Sequence, residues 1–429
     1  MVLADSSVVT IALPEILDRY ATGVPTVAWV LIAYNLALAL AAVPAAHLAR
    51  RRPTVVGATG LAVFSASSLT CALAPTFPLL ITSRVVQAIG GALVLGATLA
   101  ILIDRLGNTD SATTAWVRAG IAGATLGPAV GGLLTQLLGW ESIFFVQVPV
   151  SLLALASVKK TSPIAATQTA TRTRPAGWAN IAVALVAGAL TAALFLLVIL
   201  LINGWRLPAA GAGAVLTVMP ASAILVARFV PPGTSAAAQG LPGAILICGG
   251  LAGLALLPQT GWWWTIAPQI LVGAGLGLTL EALTEVALAK RGNRVIQAGW
   301  SIGARHVGVV VGLALLTPIF SSDLVREQDA ALVAGTAAVL DSRISPIDKL
   351  KVAQDVLVEI DRAKERVPDL RPTINRAGDG TEYRKLADDV QVQLDRAATH
   401  AFSRSFWIAA GIGVLALLPM LALSRRRPT

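Results

Sequence analysis

Charge is what this chain has least of. Of its 429 residues, 13% are Asp, Glu, Lys or Arg, against about a quarter in a soluble domain. That is too little to cover a water-facing surface, which excludes an ordinary soluble globular protein. Cysteine is nearly missing as well. Cys71 and Cys248 are the two present; both sit in apolar runs and read as small packing residues, which excludes a disulfide framework. The three histidines, His47, His306 and His400, stand far apart in sequence. No zinc-ligand spacing, nucleotide-binding glycine loop or nucleophile elbow is found. These absences argue against an enzyme and against a cofactor or metal. The polar–apolar alternation of a membrane barrel is missing, and so is a cleavable signal pattern.

What fills the chain is hydrophobic, 55% of residues with a mean hydropathy of +0.74. A helix needs about 20 apolar residues to cross a bilayer core. The runs predict an all-α polytopic membrane protein with twelve spans, near 1–17, 26–48, 54–75, 78–103, 114–138, 142–157, 179–203, 208–228, 241–258, 263–289, 298–320 and 404–424. The connections support the same count. With the N-terminus inside, the inward loops hold Arg50-Arg51-Arg52, Arg105, Lys159-Lys160, Arg172, Arg174, Arg228, Lys290-Arg291, Arg294 and Arg425-Arg426-Arg427. Arg19 and Arg206 are nearly all that faces outward in the short loops. Basic residues crowd the cytoplasmic side of membrane proteins. The net charge of +10 is therefore a topology signal, not a nucleic-acid footprint. It places both termini in the cytoplasm and the protein in the cell (inner or plasma) membrane.

Two six-helix halves follow, 1–157 and 179–429. A cytoplasmic linker over 158–178, rich in Thr, Ala and basic residues, joins them. The segment 321–403 falls outside and carries fifteen of the 23 acidic residues beside 12 Lys or Arg. Two helices are predicted in it. Ser345 caps the first and Pro346 opens it, with Ile347, Leu350, Ala353, Leu357 and Ile360 as its apolar row. Gly378-Asp379-Gly380-Thr381 starts the second, whose row is Tyr383, Leu386, Val390 and Leu394. The hairpin either buries its own seam, the preferred reading, or docks an envelope partner.

Five local patterns carry a family resemblance. The first span reads Asp5-Ser-Ser-Val-Val-Thr10-Ile-Ala12-Leu13-Pro14, and the second includes Trp29-Val-Leu-Ile-Ala-Tyr34. The fourth has Arg84-Val-Val-Gln87-Ala-Ile-Gly90-Gly91-Ala92. The fifth has Gly123-Ala-Thr-Leu-Gly127-Pro128-Ala-Val-Gly131-Gly132, followed by Gly139-Trp140 and Phe144 through Pro149. The eleventh has Gly303-Ala-Arg305-His306-Val-Gly308 through Gly312. Together these resemble the major facilitator superfamily, and within it the multidrug proton antiporters usually built from fourteen helices. The resemblance implies the major facilitator fold, two pseudo-symmetric halves around a central cavity. Glycines four apart let helices approach closely in lipid, and Pro128 bends its helix, which suits a bundle that repacks during transport. Departures are plain. The two extra central helices are missing. Arg50-Arg51-Arg52 stand where the loop after the second helix carries an acid in the family. Ala88 and Thr114 replace family glycines. The first span is short, which points to a start site set too late.

An ionisable group inside a membrane helix is costly unless paired or hydrated. Asp5, Glu281 and Glu285 fall well within spans. Asp5 is the leading proton carrier, with Arg84 as the cation that modulates it; the bland alternative is that Asp5 caps a shortened helix. Glu281 and Glu285 share a helix face. They read as a second proton site or a counter-charge for a cationic substrate, unless Glu285 snorkels to the surface. Arg118 either binds an anionic group, pairs with Glu281, or is an interfacial arginine. Arg305 reads as structural, and His306 as packing or a titrating switch. Trp29, Tyr34, Asn35, Gln87, Trp116 and Gln269 are expected to shape a substrate cavity. Trp140, Trp205 and Trp262-Trp263-Trp264 read as interfacial anchors.

The function these features imply is proton-driven export of amphipathic or lipophilic compounds. The partners are protons, a small amphipathic substrate and the lipid bilayer, with an envelope protein at the external loop only on the reading in which the hairpin docks one. The alternatives are an exporter of a specific envelope lipid or metabolite, and a non-transporting receptor or scaffold.

Overall fold

The computed structural model describes residues 2–158, 176–231, 234–258, 260–288, 293–342, 344–363, 370–377 and 381–424. The described residues form helices joined by short turns, with no strand among them. The helices are α1 (Val2–Arg19), α2 (Val24–Val27), α3 (Trp29–Arg51), α4 (Pro53–Ala72), α5 (Phe77–Leu106) and α6 (Thr109–Leu138). There follow α7 (Ser142–Phe145), α8 (Gln147–Ser157), α9 (Gly177–Ile199), α10 (Ala209–Leu216), α11 (Val218–Ala227) and α12 (Ala236–Ala255). The last are α13 (Ile266–Ala287), α14 (Arg294–Asp341), α15 (Pro346–Ala363), α16 (Arg371–Ala377), α17 (Thr381–Leu415) and α18 (Leu417–Ser424).

Prolines explain three of the helix breaks. The breaks at Val146, Thr217 and Ala416 each lie three residues before a proline, at Pro149, Pro220 and Pro419. A proline removes a helical donor and its ring crowds the carbonyl four residues back. With short breaks bridged, ten helical stretches among the described residues are long and apolar enough to cross a membrane. Two further helical segments, α1 and Ser142–Ser157, lie where the other two of the twelve expected spans were placed.

Helix pairing repeats after six rods. The first rod packs on the fifth (α1 on α6), as the seventh packs on the eleventh (α9 on α14). The third packs on the fourth (α4 on α5), as the ninth packs on the tenth (α12 on α13). Glycine makes the second pair of contacts close: a Cβ on Gly60 would lie 2.9 Å from the Gly90 carbonyl oxygen, and one on Gly243 2.7 Å from that of Gly275. The N- and C-terminal sets meet through α3 on α14 and through α6 on α10.

The segment 321–403 departs from expectation. No break occurs at 320 or 404. Instead α14 is a single helix of 48 residues, about 70 Å long at 1.5 Å per residue, and α17 runs 35 residues from Thr381 into the last span. Helix-compatible sequence continues past Phe320 with nothing to stop it, so the spans extend beyond their apolar parts. The first predicted helix start holds; of the second, residues 378–380 lie outside the described ones. Ser345 accepts from the Asp348 amide at 3.2 Å and donates to its carboxylate at 2.7 Å, a reciprocal cap. The predicted apolar row of α15 is corrected: Ile347, Leu350 and Leu357 are 69%, 66% and 52% exposed. Val352 and Val356 turn inward, onto Val339, Ile344, Leu370, Ile374, Leu386, Val390 and Leu394. The Tyr383 hydroxyl donates to Asp348 at 2.7 Å and ties the start of α15 to that of α17. The short helix α16 was not expected. The linker residues 159–175 lie outside the described residues.

Candidate polar core and helix contacts

Asp5 lies in the first turn of α1 and is 1% exposed. Its carboxylate does not cap that helix. One oxygen accepts from Arg84 Nη1 of α5 at 2.7 Å, and the other from Gln147 Nε2 of α8 at 2.8 Å. The same Arg84 nitrogen donates to Gln87 Oε1 at 2.6 Å, and Arg84 Nε donates to the Val30 carbonyl at 3.3 Å. Gln87 Nε2 in turn donates to Ser68 Oγ and Gln147 Oε1, both at 2.8 Å. Tyr34 lies beneath the guanidinium, its ring centre 4.0 Å from Cζ. Arg84, Gln87, Ser68 and Tyr34 are fully buried.

Five helices thus converge on one ion pair. A buried pair is tolerable only where further hydrogen bonds satisfy it, and the amides of Gln87 and Gln147 supply them, with the ring face of Tyr34 as a cation–π contact. Within this cluster, Arg84 Nη2 is buried without a hydrogen-bond acceptor. The arrangement holds a carboxylate against a guanidinium, both out of water. Sequence reasoning named Asp5, Arg84, Gln87 and Tyr34 but not Gln147 or Ser68. A glutamine inside the apolar rod Ser142–Ser157 was the available signal.

The glycine-rich helix lies beside this core. On α6, a Cβ at Gly123 would meet Ala4 Cβ at 3.4 Å, one at Gly127 would run into the Ser7 side chain, and one at Gly131 would meet the Val8 carbonyl at 2.9 Å. All three face α1, immediately around Asp5. The opposite shoulder of α6 faces the other half: Gly132 abuts the Ala209 carbonyl, and Gly213 of α10 abuts the Pro128 carbonyl.

The other expected site residues are scattered. Asn35 is buried on α3, donates to the Leu31 carbonyl at 2.8 Å and reaches α14, where His306 Nδ1 lies 2.5 Å from its Oδ1. Trp116 packs against two apolar clusters, one with Tyr34, Leu95 and Ile302, the other with Leu99, Leu288 and Ala298. It therefore sits between the halves. Gln269 is buried on α13 and donates to Thr265 Oγ1 at 3.0 Å. Trp29 is half exposed at the start of α3, outside the buried cluster, and Arg118 is exposed on α6. Glu281 and Glu285 belong to α13 by their backbone; their side chains lie outside the described ones, as do Lys290 and Arg291. Trp140 is buried against Tyr20 and Phe144, which makes it a core residue instead of the expected interfacial anchor.

A family profile described as the Major Facilitator Superfamily matches residues 1–317. Over 158 residues the chain is 39% identical to an uncharacterized MFS-type transporter of Mycobacterium tuberculosis, a match covering 36% of this chain and 27% of the relative. The multidrug resistance protein Stp of the same species is 35% identical over 162 residues, 36% of this chain and 30% of the relative. The tetracenomycin C resistance and export protein of Streptomyces glaucescens is 36% identical over 165 residues, 37% of this chain and 30% of the relative. The chain thus matches less than a third of the length of these relatives. A solved bacterial homologue of the human lysosomal transporter Spinster, inward-facing and occupied, superposes with a TM-score of 0.65 at 17% identity, covering 100% of this chain and 96% of that one. At that identity the likeness is one of fold.

Proposed function

Because the chain belongs to the major facilitator superfamily, shown by the profile over residues 1–317, we propose that it is a proton-coupled exporter of amphipathic or lipophilic small molecules. The observation that carries this is the buried Asp5–Arg84 pair at 2.7 Å. Protonating Asp5 neutralises the carboxylate and weakens a charge-assisted hydrogen bond. Arg84 keeps its bonds to Gln87 and Val30, so α1 becomes the element free to move relative to α5. Its neighbours Ala4, Ser7 and Val8 press on the glycine row of α6, and the far shoulder of α6 presses on α10. Proton occupancy at Asp5 is thereby read across the boundary between the halves, which we place in 158–178. The export relatives at about 35% identity support the substrate class.

Purified protein in vesicles carrying a pH gradient tests the reading, with ethidium as the transported probe. Wild type is expected to move ethidium against its gradient. Asp5→Asn is expected to lose gradient-driven movement while still binding the probe. Unchanged driven transport in that variant removes Asp5 as the carrier. A second reading, export of an envelope lipid or metabolite passed to a partner, draws on the exposed row Ile347, Leu350, Leu357 and Val358 of α15.

A further inference from the structure

A recess of about 500 Å³ lies between α14 and α17, and the transport reading makes no use of it. Glu327 lines it from α14; His400, Ser403, Arg404, Trp407 and Ile408 line it from α17. Along α14 the apolar run gives way after Phe320 to Asp323, Arg326 and Glu327, so Glu327 stands just beyond it. On α17 the row that begins with His400 and Arg404 continues through Trp407 and Val414, which are 47% and 50% exposed, and Leu418 of α18, 62% exposed, follows it. Large apolar side chains left uncovered on a spanning helix face acyl chains, and Trp favours the interface just above them. The recess therefore opens sideways, at the level of the lipid headgroups.

Its polar groups carry both signs and are held in place. Arg404 Nη1 donates to Asp323 Oδ1 at 3.2 Å, a carboxylate on a residue 6% exposed, while the arginine side chain itself stays 60% exposed. The Ser403 hydroxyl donates to the Ala255 carbonyl at 2.7 Å, which leaves its oxygen as an acceptor. Just above, Trp205 Nε1 donates to Thr399 Oγ1 at 3.1 Å and Arg206 pairs with Asp395 at 3.4 Å. These contacts fix α17 where the recess forms.

We propose that the recess binds the headgroup of a zwitterionic aminophospholipid. The phosphate meets the Arg404 guanidinium and His400, the ammonium meets the Glu327 carboxylate and the Ser403 oxygen, and the acyl chains run along Trp407 and Ile408. Glu327 and Ser403 offer acceptors that N–H groups satisfy and a quaternary ammonium does not. An anionic headgroup without an amine sets its charge against Glu327. The assignment rests on membrane insertion and not on proton coupling, so the vesicle assay above and the one below fail independently.

Full-length protein, stripped of lipid in detergent, is offered phosphatidylethanolamine, phosphatidylcholine and phosphatidylglycerol of matched chains and followed by native mass spectrometry. Wild type is expected to retain phosphatidylethanolamine about tenfold over the other two, the effect of one hydrogen bond to a charged group. Glu327→Gln is expected to abolish the preference with its thermal midpoint unchanged, and Arg404→Gln to weaken retention of all three lipids. Equal retention by wild type, or an unaltered preference in Glu327→Gln, overturns the proposal. Displacement of the lipid by millimolar O-phosphoethanolamine makes the ligand a soluble phosphoamine and overturns it as well.

Discussion

At the residue scale, Arg84 makes several contacts that no other side chain reproduces together. It donates to Asp5, Gln87 and Val30 and covers the Tyr34 ring. A lysine is a point charge without the planar fork. Arg84→Lys is therefore expected to lower proton-driven ethidium transport by about tenfold or more, the loss of one charge-assisted hydrogen bond, measured as initial rate in vesicles. Gln147→Leu takes one acceptor from the Gln87 amide and leaves one Asp5 oxygen without its donor in the interior. It is expected to cost about 1–3 kcal/mol, seen as a lowered thermal midpoint in detergent. In the cap formed by α15, α16 and the start of α17, the hydroxyls of Ser345 and Tyr383 hold the Asp348 carboxyl below its usual value of 3.8. A depressed folded value makes this contribution complete above the unfolded value and lost as pH falls through the lower folded one. Tyr383→Phe is expected to move the Asp348 carbon-13 titration up toward the ordinary carboxylate range. An unmoved titration removes the tyrosine as its cause.

At the scale of elements, the glycine row of α6 separates positions that look alike in sequence. Gly123 has room for a methyl group, with Ala4 Cβ at 3.4 Å, whereas Gly131 would place one 2.9 Å from the Val8 carbonyl and 3.0 Å from its Cα. Gly123→Ala is expected to leave stability and transport close to wild type. Gly131→Ala is expected to push α1 off α6 and cost about 1–3 kcal/mol, the usual range for overpacking, read by thermal unfolding of the two variants side by side. The spacing by four shows that some face of α6 must pack closely. It does not show that Gly123, Gly127 and Gly131 meet α1 while Gly132 meets α10, because that depends on which helices flank α6. The α15 correction has the same origin. Two apolar rows share one amphipathic helix, and Val352 and Val356 are the ones that meet Leu370, Ile374, Leu386 and Val390, all outside that helix.

At the scale of the whole molecule, the basic loops predict twelve spans with both termini inside. With Cys71 and Cys248 removed, a cysteine at Ser342 is expected to react with an impermeant thiol reagent in intact cells, and one at Gln168 is not. Labelling at 168 would reverse the topology. The cap has its own apolar core, apart from the bundle. Replacing 341–382 with a Gly/Ser linker is expected to leave a monodisperse bundle in detergent that still binds ethidium. Loss of both would make the cap part of the transport core.

Spans, family and the acid–arginine pair were legible in the chain by itself. Each rests on a local fact: the length of an apolar run, the sign of a loop, or the expense of a charge at Asp5 or Arg84 inside a membrane helix. Gln147 and Ser68 were not legible, since an uncharged polar side chain in an apolar run carries little signal until the partner that needs it is known. The continuity of α14 past Phe320 was hidden because a falling hydropathy ends a span without ending a helix. The tertiary structure decided which groups meet. Asp5 and Arg84 are 79 residues apart and Asp5 and Gln147 are 142 apart. Only the packing of α1, α5 and α8 turns three isolated polar residues into one buried network, because a hydrogen bond acts over about 3 Å and sequence does not encode distance.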